Sequence, residues 1–202
     1  MSGALVSIIG PPAVGKTTLA EHLSRELPAR LIREDYSGNP FLAASYLGCD
    51  EVRLPAQLCY LMSRTSQLSR LTWPADGVAV SDYGFCQDRI FARLRLGPPE
   101  LAVYEQVAAY AAPLVRPPDV LICLDAAEAT LLERIARRGR EFEKAIAAEF
   151  LASIRQAYRE EAQRASCAVI GVDCDRVDIR EAAWRGGLMA RIGEEVRGGG
   201  GG

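Results

Sequence analysis

The sequence predicts an α/β fold: a five-stranded parallel sheet with helices on both faces. Three observations carry this. Five short apolar runs, at residues 4–9, 29–32, 78–80, 120–124 and 168–172, read as buried strands. Helical patterns separate them, and strands alternating with helices pair in parallel, with the crossovers covering both faces of the sheet. Between the first run and the first helix stands Gly10-Pro11-Pro12-Ala13-Val14-Gly15-Lys16-Thr17, which fits G-x-x-x-x-G-K-[ST] in the strand–loop–helix setting of a phosphate-binding P-loop.

The loop chemistry follows from the residue types. Gly10 and Gly15 let the backbone wrap a polyphosphate, and the loop N–H groups and the helix N-terminus point at its oxygens. Lys16 is placed to reach the β/γ-phosphates and Thr17 to ligate Mg²⁺. The expected nucleotide-binding set is Gly10, Pro11, Pro12, Ala13, Val14, Gly15, Lys16, Thr17 and Thr18. Of the 24 Lys and Arg residues only Lys16 and Lys144 are Lys, so a Lys at this position stands out from the composition. The first helix is expected over 16–27, with His22 on its outer side. Further helices are expected over 40–47, 54–71, 99–114, 127–137 and 145–165, with Trp73-Pro74 and Arg116-Pro117-Pro118 as breakers.

Composition bounds the function. A chain of 202 residues with 49% hydrophobic content fits one compact domain, expected over 1–197, followed by a glycine tail at 198–202. A formal charge of −2 argues against sequence-independent nucleic-acid binding and leaves small phosphorylated ligands as partners. The six cysteines show no metal-ligand spacing and read as reduced thiols packed as small hydrophobes. With no leader pattern and no long apolar stretch, a cytoplasmic protein without membrane association is expected.

In such sheets the active site gathers at the carboxyl ends of the strands. After the second run come Arg33, Glu34, Asp35 and Tyr36; a carboxylate there can accept a hydroxyl proton beside the phosphates, or stand exposed at a turn. Gln57 and Arg64, two helical turns apart, share a face that suits a nucleobase edge or solvent. Asp82 either acts near Mg²⁺ or caps the next segment. Arg134, Arg137, Arg138 and Arg140 can grip transferring phosphates from a movable segment; complementing a helix dipole accounts for only one or two of them.

Taken in order, GPPAVGKTTLAEHL, REDYSGNPFL, QLCYLMSRTSQLSRL, VSDYGFCQDRIFAR, PDVLICLDA and LLERIARRGREFEKAIAAEFLASIRQAYRE resemble the deoxynucleoside kinases, especially the bacterial deoxyadenosine/deoxyguanosine branch, from about residue 4 to about 175. The P-loop is widely shared. E-x-Y-x-x-NPFL, Q-x6-R and R-x3-RGR-x2-E in this order are specific. The resemblance implies a P-loop kinase fold with an arginine-rich lid and transfer of the γ-phosphoryl of ATP, with Mg²⁺, to a deoxynucleoside 5′-hydroxyl in nucleotide salvage. It implies Glu34 as general base, Gln57 as reader of the base edge, and Arg64 as its support, paired with Asp88. It further implies Tyr46 and Glu143 on the sugar 3′-hydroxyl, Arg134, Arg138 and Arg140 as lid arginines, Asp175 and Arg176 at the ATP adenine, and a homodimer through the helices at 54–71 and 99–114. One departure is plain: many members carry an acidic-Arg-Ser sequence where this chain has Asp82-Tyr83-Gly84, so either Arg89 or Arg33 is expected to substitute, or the geometry there to differ.

Three other readings are weighed. A nucleoside monophosphate kinase, thymidylate kinase-like, shares the loop and lid, but its charged acceptor calls for extra arginines in the acceptor pocket. A switch GTPase needs N-K-x-D, which is absent. An idle scaffold would have no use for Lys16, Thr17, Glu34 and the lid together.

Overall fold

The computed structural model describes residues 3–143 and 146–198. Five strands, β1 (Ala4–Ile9), β2 (Arg30–Ile32), β3 (Val78–Ser81), β4 (Val120–Asp125) and β5 (Ala168–Asp173), form one sheet in the order β2-β3-β1-β4-β5, every pair parallel. Their apolar runs alternate between two cores, because successive side chains leave a strand on opposite faces. Val6 and Ile8 of β1 and Val120, Ile122 and Leu124 of β4 meet Leu19, Ala20 and Leu23 of α1 (Lys16–Glu26), together with Leu131, Ile135, Leu188 and Ile192. Ile9, Leu121 and Cys123 point the other way, onto Ile90, Ile154 and Tyr158.

The remaining helices are α2 (Leu42–Tyr46), α3 (Arg53–Gln67), α4 (Cys86–Arg95), α5 (Pro98–Ala111), α6 (Glu128–Arg138), α7 (Ala148–Arg164) and α8 (Ala182–Gly198). The expected glycine tail lies outside the described residues from 199 on, and Gly198 ends α8. Lys144 and Ala145 also lie outside them, and α7 begins at Ala148.

Two helices differ from the sequence reading because their inner faces are unusual. The side of α4 toward the cavity carries Gln87, Phe91 and Arg95, four apart, so two polar residues interrupt the apolar pattern, while Ile90 packs on the sheet. In α8 the pair Gly186-Gly187 interrupts the pattern, although Trp184, Leu188, Ile192 and Val196 recur every four residues and pack on the sheet. The helix expected over 54–71 stops at Gln67, and 70–72 form a separate 3₁₀ turn.

Candidate active site

The P-loop, Glu34 and Tyr36 after β2, α3, α4, the end of α6 and the loop after β5 line one cavity of about 740 Å³, with Asp82 after β3 behind them on Thr17. Gly10 leaves β1 with φ 145°, and a Cβ there would lie 2.3 Å from the Leu124 carbonyl, so only glycine fits the start of the loop. Pro12 to Thr18 line the cavity. Gly10 and Pro11 stand behind them and accept hydrogen bonds from Lys16 Nζ at 2.7 and 3.0 Å. Burial brings the Lys16 ammonium down to about 8, with Arg138 and Arg64 lowering it further and Asp82 opposing. An ammonium desolvated in this way is stabilised by an incoming polyanion.

Asp82 caps no helix; Phe85 occupies the position before α4. Its Oδ1 accepts the Glu34 N–H at 2.8 Å and its Oδ2 accepts the Thr17 hydroxyl at 2.6 Å. Burial raises the carboxyl above its usual range, and the Thr17 bond works against that. Among the described residues no cluster of three His, Cys, Asp or Glu forms a metal cage. One carboxylate beside one hydroxyl at a phosphate loop nevertheless fits Mg²⁺, which keeps several waters and takes its remaining ligands from substrate phosphates.

Glu34 is neither exposed nor at a free turn: it is 9% accessible and lines the cavity. Arg64, 4% accessible, bridges Glu34 and Asp88 with one guanidinium nitrogen each and stacks over Tyr60 and Tyr83 at 4.8 and 5.3 Å. Gln87 Nε2 donates to Glu34 Oε1 at 2.7 Å. Burial pushes the Asp88 carboxyl up to about 6 against the pull of Arg64. The Gln57–Arg64 face is therefore not solvated. Gln57 is 4% accessible and, among the described residues, its amide has no hydrogen-bond partner, leaving both ends to the cavity. Asn39 fixes the approach: its Nδ2 donates to Ala56 O at 3.0 Å and its Oδ1 accepts the Phe41 N–H at 3.1 Å, tying the loop after β2 to the residue before Gln57.

The lid arginines reach the same space. α6 ends at Gly139 in the left-handed region, φ 69°, which turns Arg140 back so that Arg138 and Arg140 both hold Glu143. Arg140 lies 4.8 Å over the Tyr36 ring. Arg134 donates at 3.2 Å to the carbonyls of Val14 and Cys174, joining the lid helix to the P-loop and the loop after β5. Tyr46 lines the opposite wall with Arg95 stacked 3.9 Å over it. Asp175 Oδ2 accepts the Ala127 N–H at 2.6 Å at the start of α6, and Arg176 pairs with Asp173 at 3.1 Å.

Neither arginine expected to substitute after Asp82 does so. Arg33 is exposed and pairs with Glu21 at 2.7 Å; Arg89 clamps α4 to α7 through Glu161 at 2.6 Å. Tyr83 itself is fully buried and donates to Gln67 Oε1 at 2.5 Å, while a Cβ on Gly84 would lie 2.5 Å from Ile9 Cγ2. The chain turns into the core where the usual sequence would present a guanidinium. The residues missed by sequence reasoning include Gln87, Phe91 and Arg95, for which their four-residue spacing was the available signal, and Tyr60 and the segment 177–180 at the cavity wall.

A polyphosphate loop, a buried carboxylate and a ring of arginines around one cavity define a P-loop phosphotransferase site. The deoxynucleoside kinase family model matches residues 6–196, and the chain belongs to that family. It is 31% identical over 156 residues to a deoxyguanosine kinase of Bacillus subtilis, covering 76% of this chain and 75% of that one. It is 30% identical over 165 residues to a deoxyadenosine kinase of Dictyostelium discoideum, covering 79% and 67%. A solved deoxyadenosine kinase from M. mycoides, with dCMP and dCDP bound, shares the fold at TM-score 0.80 and 20% identity over 94% of this chain and 98% of that one. The protein is an enzyme, a deoxynucleoside kinase. No helix among the described residues is long and apolar enough to cross a membrane.

Proposed function

We propose that the enzyme transfers the γ-phosphoryl group of ATP to the 5′-hydroxyl of a purine deoxynucleoside. The observation that carries this is one cavity holding the P-loop, the buried Glu34 carboxylate and the unpaired Gln57 amide. The 5′-hydroxyl gives its proton to Glu34. Its oxygen bonds to the γ-phosphorus as the bond to the β,γ-bridging oxygen breaks, and ADP leaves with that electron pair. Lys16, Arg134, Arg138 and Arg140 balance the charge that spreads over the transferring group. Thr17 and Asp82 would hold Mg²⁺, which would supply positive charge against the phosphates.

Gln57 offers a donor and an acceptor side by side, as the edge of adenine requires. Tyr46 and Glu143 take the sugar 3′-hydroxyl, and Asp175 and Arg176 flank the ATP adenine. The names of the two curated relatives support a purine acceptor. Two arginines by the acceptor residues are already engaged, which argues against a nucleoside monophosphate: Arg95 stacks on Tyr46 and donates to Ser45 O at 2.6 Å, and Arg64 is held between Glu34 and Asp88. A homodimer through α3 and α5 is supported by exposed Met62, Val103, Tyr110 and Leu114 on that side of the molecule. A cytoplasmic location suits the phosphorylated substrates and the six free cysteines. Initial rates with ATP and Mg²⁺ across the four deoxynucleosides test the reading: deoxyadenosine or deoxyguanosine should give the highest catalytic efficiency, and a preference for thymidine would overturn the purine assignment.

A further inference from the structure

Glu34 receives two donors, and both fall on the same oxygen. Arg64 Nη2 and Gln87 Nε2 each donate to Oε1. Oε2 has no partner among the described residues, and Glu34 lines the cavity. Gln87 is itself held from behind. Tyr158, on α7 and 1% accessible, donates its hydroxyl to Gln87 Oε1 at 2.9 Å, and Tyr158 does not line the cavity.

The chemistry of these groups fixes the direction of the chain. An ionised carboxylate only accepts, so it takes the Gln87 amide nitrogen, which leaves the amide oxygen for the Tyr158 hydroxyl. The phenol therefore locks the amide with its donor facing Glu34. Charge adds a second reason for a neutral donor. Glu34, Arg64 and Asp88 together carry one net negative charge, and a second guanidinium on Glu34 would cancel it and weaken the carboxylate as a proton acceptor. An amide orients the group without adding charge.

We infer that Gln87, locked by Tyr158, is the positioning residue for the proton acceptor, and that Glu34 Oε2 is the oxygen that takes the 5′-hydroxyl proton. Arg64 and Gln87 together pin Oε1, so the carboxylate cannot rotate its free oxygen away from the cavity. This assignment fills the place left by Tyr83 with a residue four positions on, in the first turn of α4, and it rests on Glu34 being the general base.

The test combines Gln87→Met, Tyr158→Phe and Glu34→Gln, measuring kcat, the deoxynucleoside Kd and the melting temperature of each. Losing one hydrogen bond to a charged group should lower kcat of Gln87→Met about 10- to 100-fold with Kd little changed. Tyr158→Phe should lower kcat in the same direction by a smaller factor, about 3- to 10-fold, and should cost nothing further in the Gln87→Met background. In the Glu34→Gln background Gln87→Met should also cost nothing further, because the group it positions is gone. If Glu34→Gln leaves kcat intact, the general-base reading fails. If Glu34→Gln collapses kcat while Gln87→Met leaves it intact, the base stands and the positioning role is wrong. A Gln87→Met cost that persists in the Glu34→Gln background, or that appears in Kd, would make Gln87 a substrate contact and overturn the inference. Should Tyr158→Phe melt at assay temperature, the Gln87→Met and Glu34→Gln cycle decides alone.

Discussion

Replacing Glu34 by glutamine removes the proton acceptor while leaving its surroundings able to re-form. The new amide oxygen can still accept from Arg64 and from Gln87, and Arg64 keeps its ion pair with Asp88, so no buried charge is stranded. The net charge of the buried triad changes from −1 to 0, and the stability change should stay within about 1 kcal/mol. Catalysis has no such reserve: loss of general-base assistance costs about 10²–10⁴-fold, or about 2.7–5.4 kcal/mol at 1.36 kcal/mol per decade. Single-turnover rates with saturating ATP and Mg²⁺, together with the deoxynucleoside Kd by calorimetry, separate the two effects. The expected result is a collapsed rate with Kd within a few-fold of wild type and an unchanged melting transition. A folded variant whose rate stays within about threefold of wild type, or in which only KM rises, would refute the role of Glu34.

Lys16→Ala should leave the protein folded and lower kcat by at least about 10²-fold, since one preorganised donor on developing charge is worth about that much; near-normal turnover in a folded variant would contradict the phosphate role of the loop. Glu143→Ala should shrink discrimination against 3′-deoxy analogues, which in the wild type should be about 10- to 150-fold, the worth of one hydrogen bond to a charged group; wild-type enzyme indifferent to the 3′-hydroxyl would remove Glu143 from the sugar site. Asp88 carries a pH signature. Its folded value of about 6 lies above the unfolded one, so the stability it contributes is complete below about pH 4 and is lost as pH rises through 6. The melting temperature of Asp88→Asn should therefore gain on that of the wild type between pH 4 and 6.5; a constant difference across that window would show that Asp88 titrates normally.

How much of this was legible in the sequence depended on what each residue faces. The P-loop was readable because phosphate wrapping demands glycines and a lysine at fixed spacing. The three central strands β1, β3 and β4 were readable because both faces are buried, which makes the runs continuously apolar, whereas the edge strands β2 and β5 are less buried and were read from their short apolar runs alone. Helix α4 was not readable, since part of its inner side is the cavity wall, where Gln87 and Arg95 flank Phe91 and interrupt the apolar pattern. Glu34 and Gln57 were visible as candidates, but their burial depends on Arg64 crossing from α3 and on Asn39 pulling the β2 loop onto α3. The bonds from Tyr158 to Gln87 and from Gln87 to Glu34 join residues 71 and 53 positions apart, and no local pattern encodes them. Arg33 and Arg89 were chosen by proximity in sequence, whereas the backbone turns both outward to surface carboxylates.

The central claim is that the acceptor is the hydroxyl of a neutral nucleoside, and a single labelling reaction tests it. Enzyme with Mg²⁺ and ATP labelled on its γ-phosphate is given deoxyadenosine and deoxyadenosine monophosphate at equal concentration, and the products are separated by charge. The account predicts label in the 5′-monophosphate. Label accumulating in the diphosphate from the earliest time points would contradict it and make the protein a nucleoside monophosphate kinase.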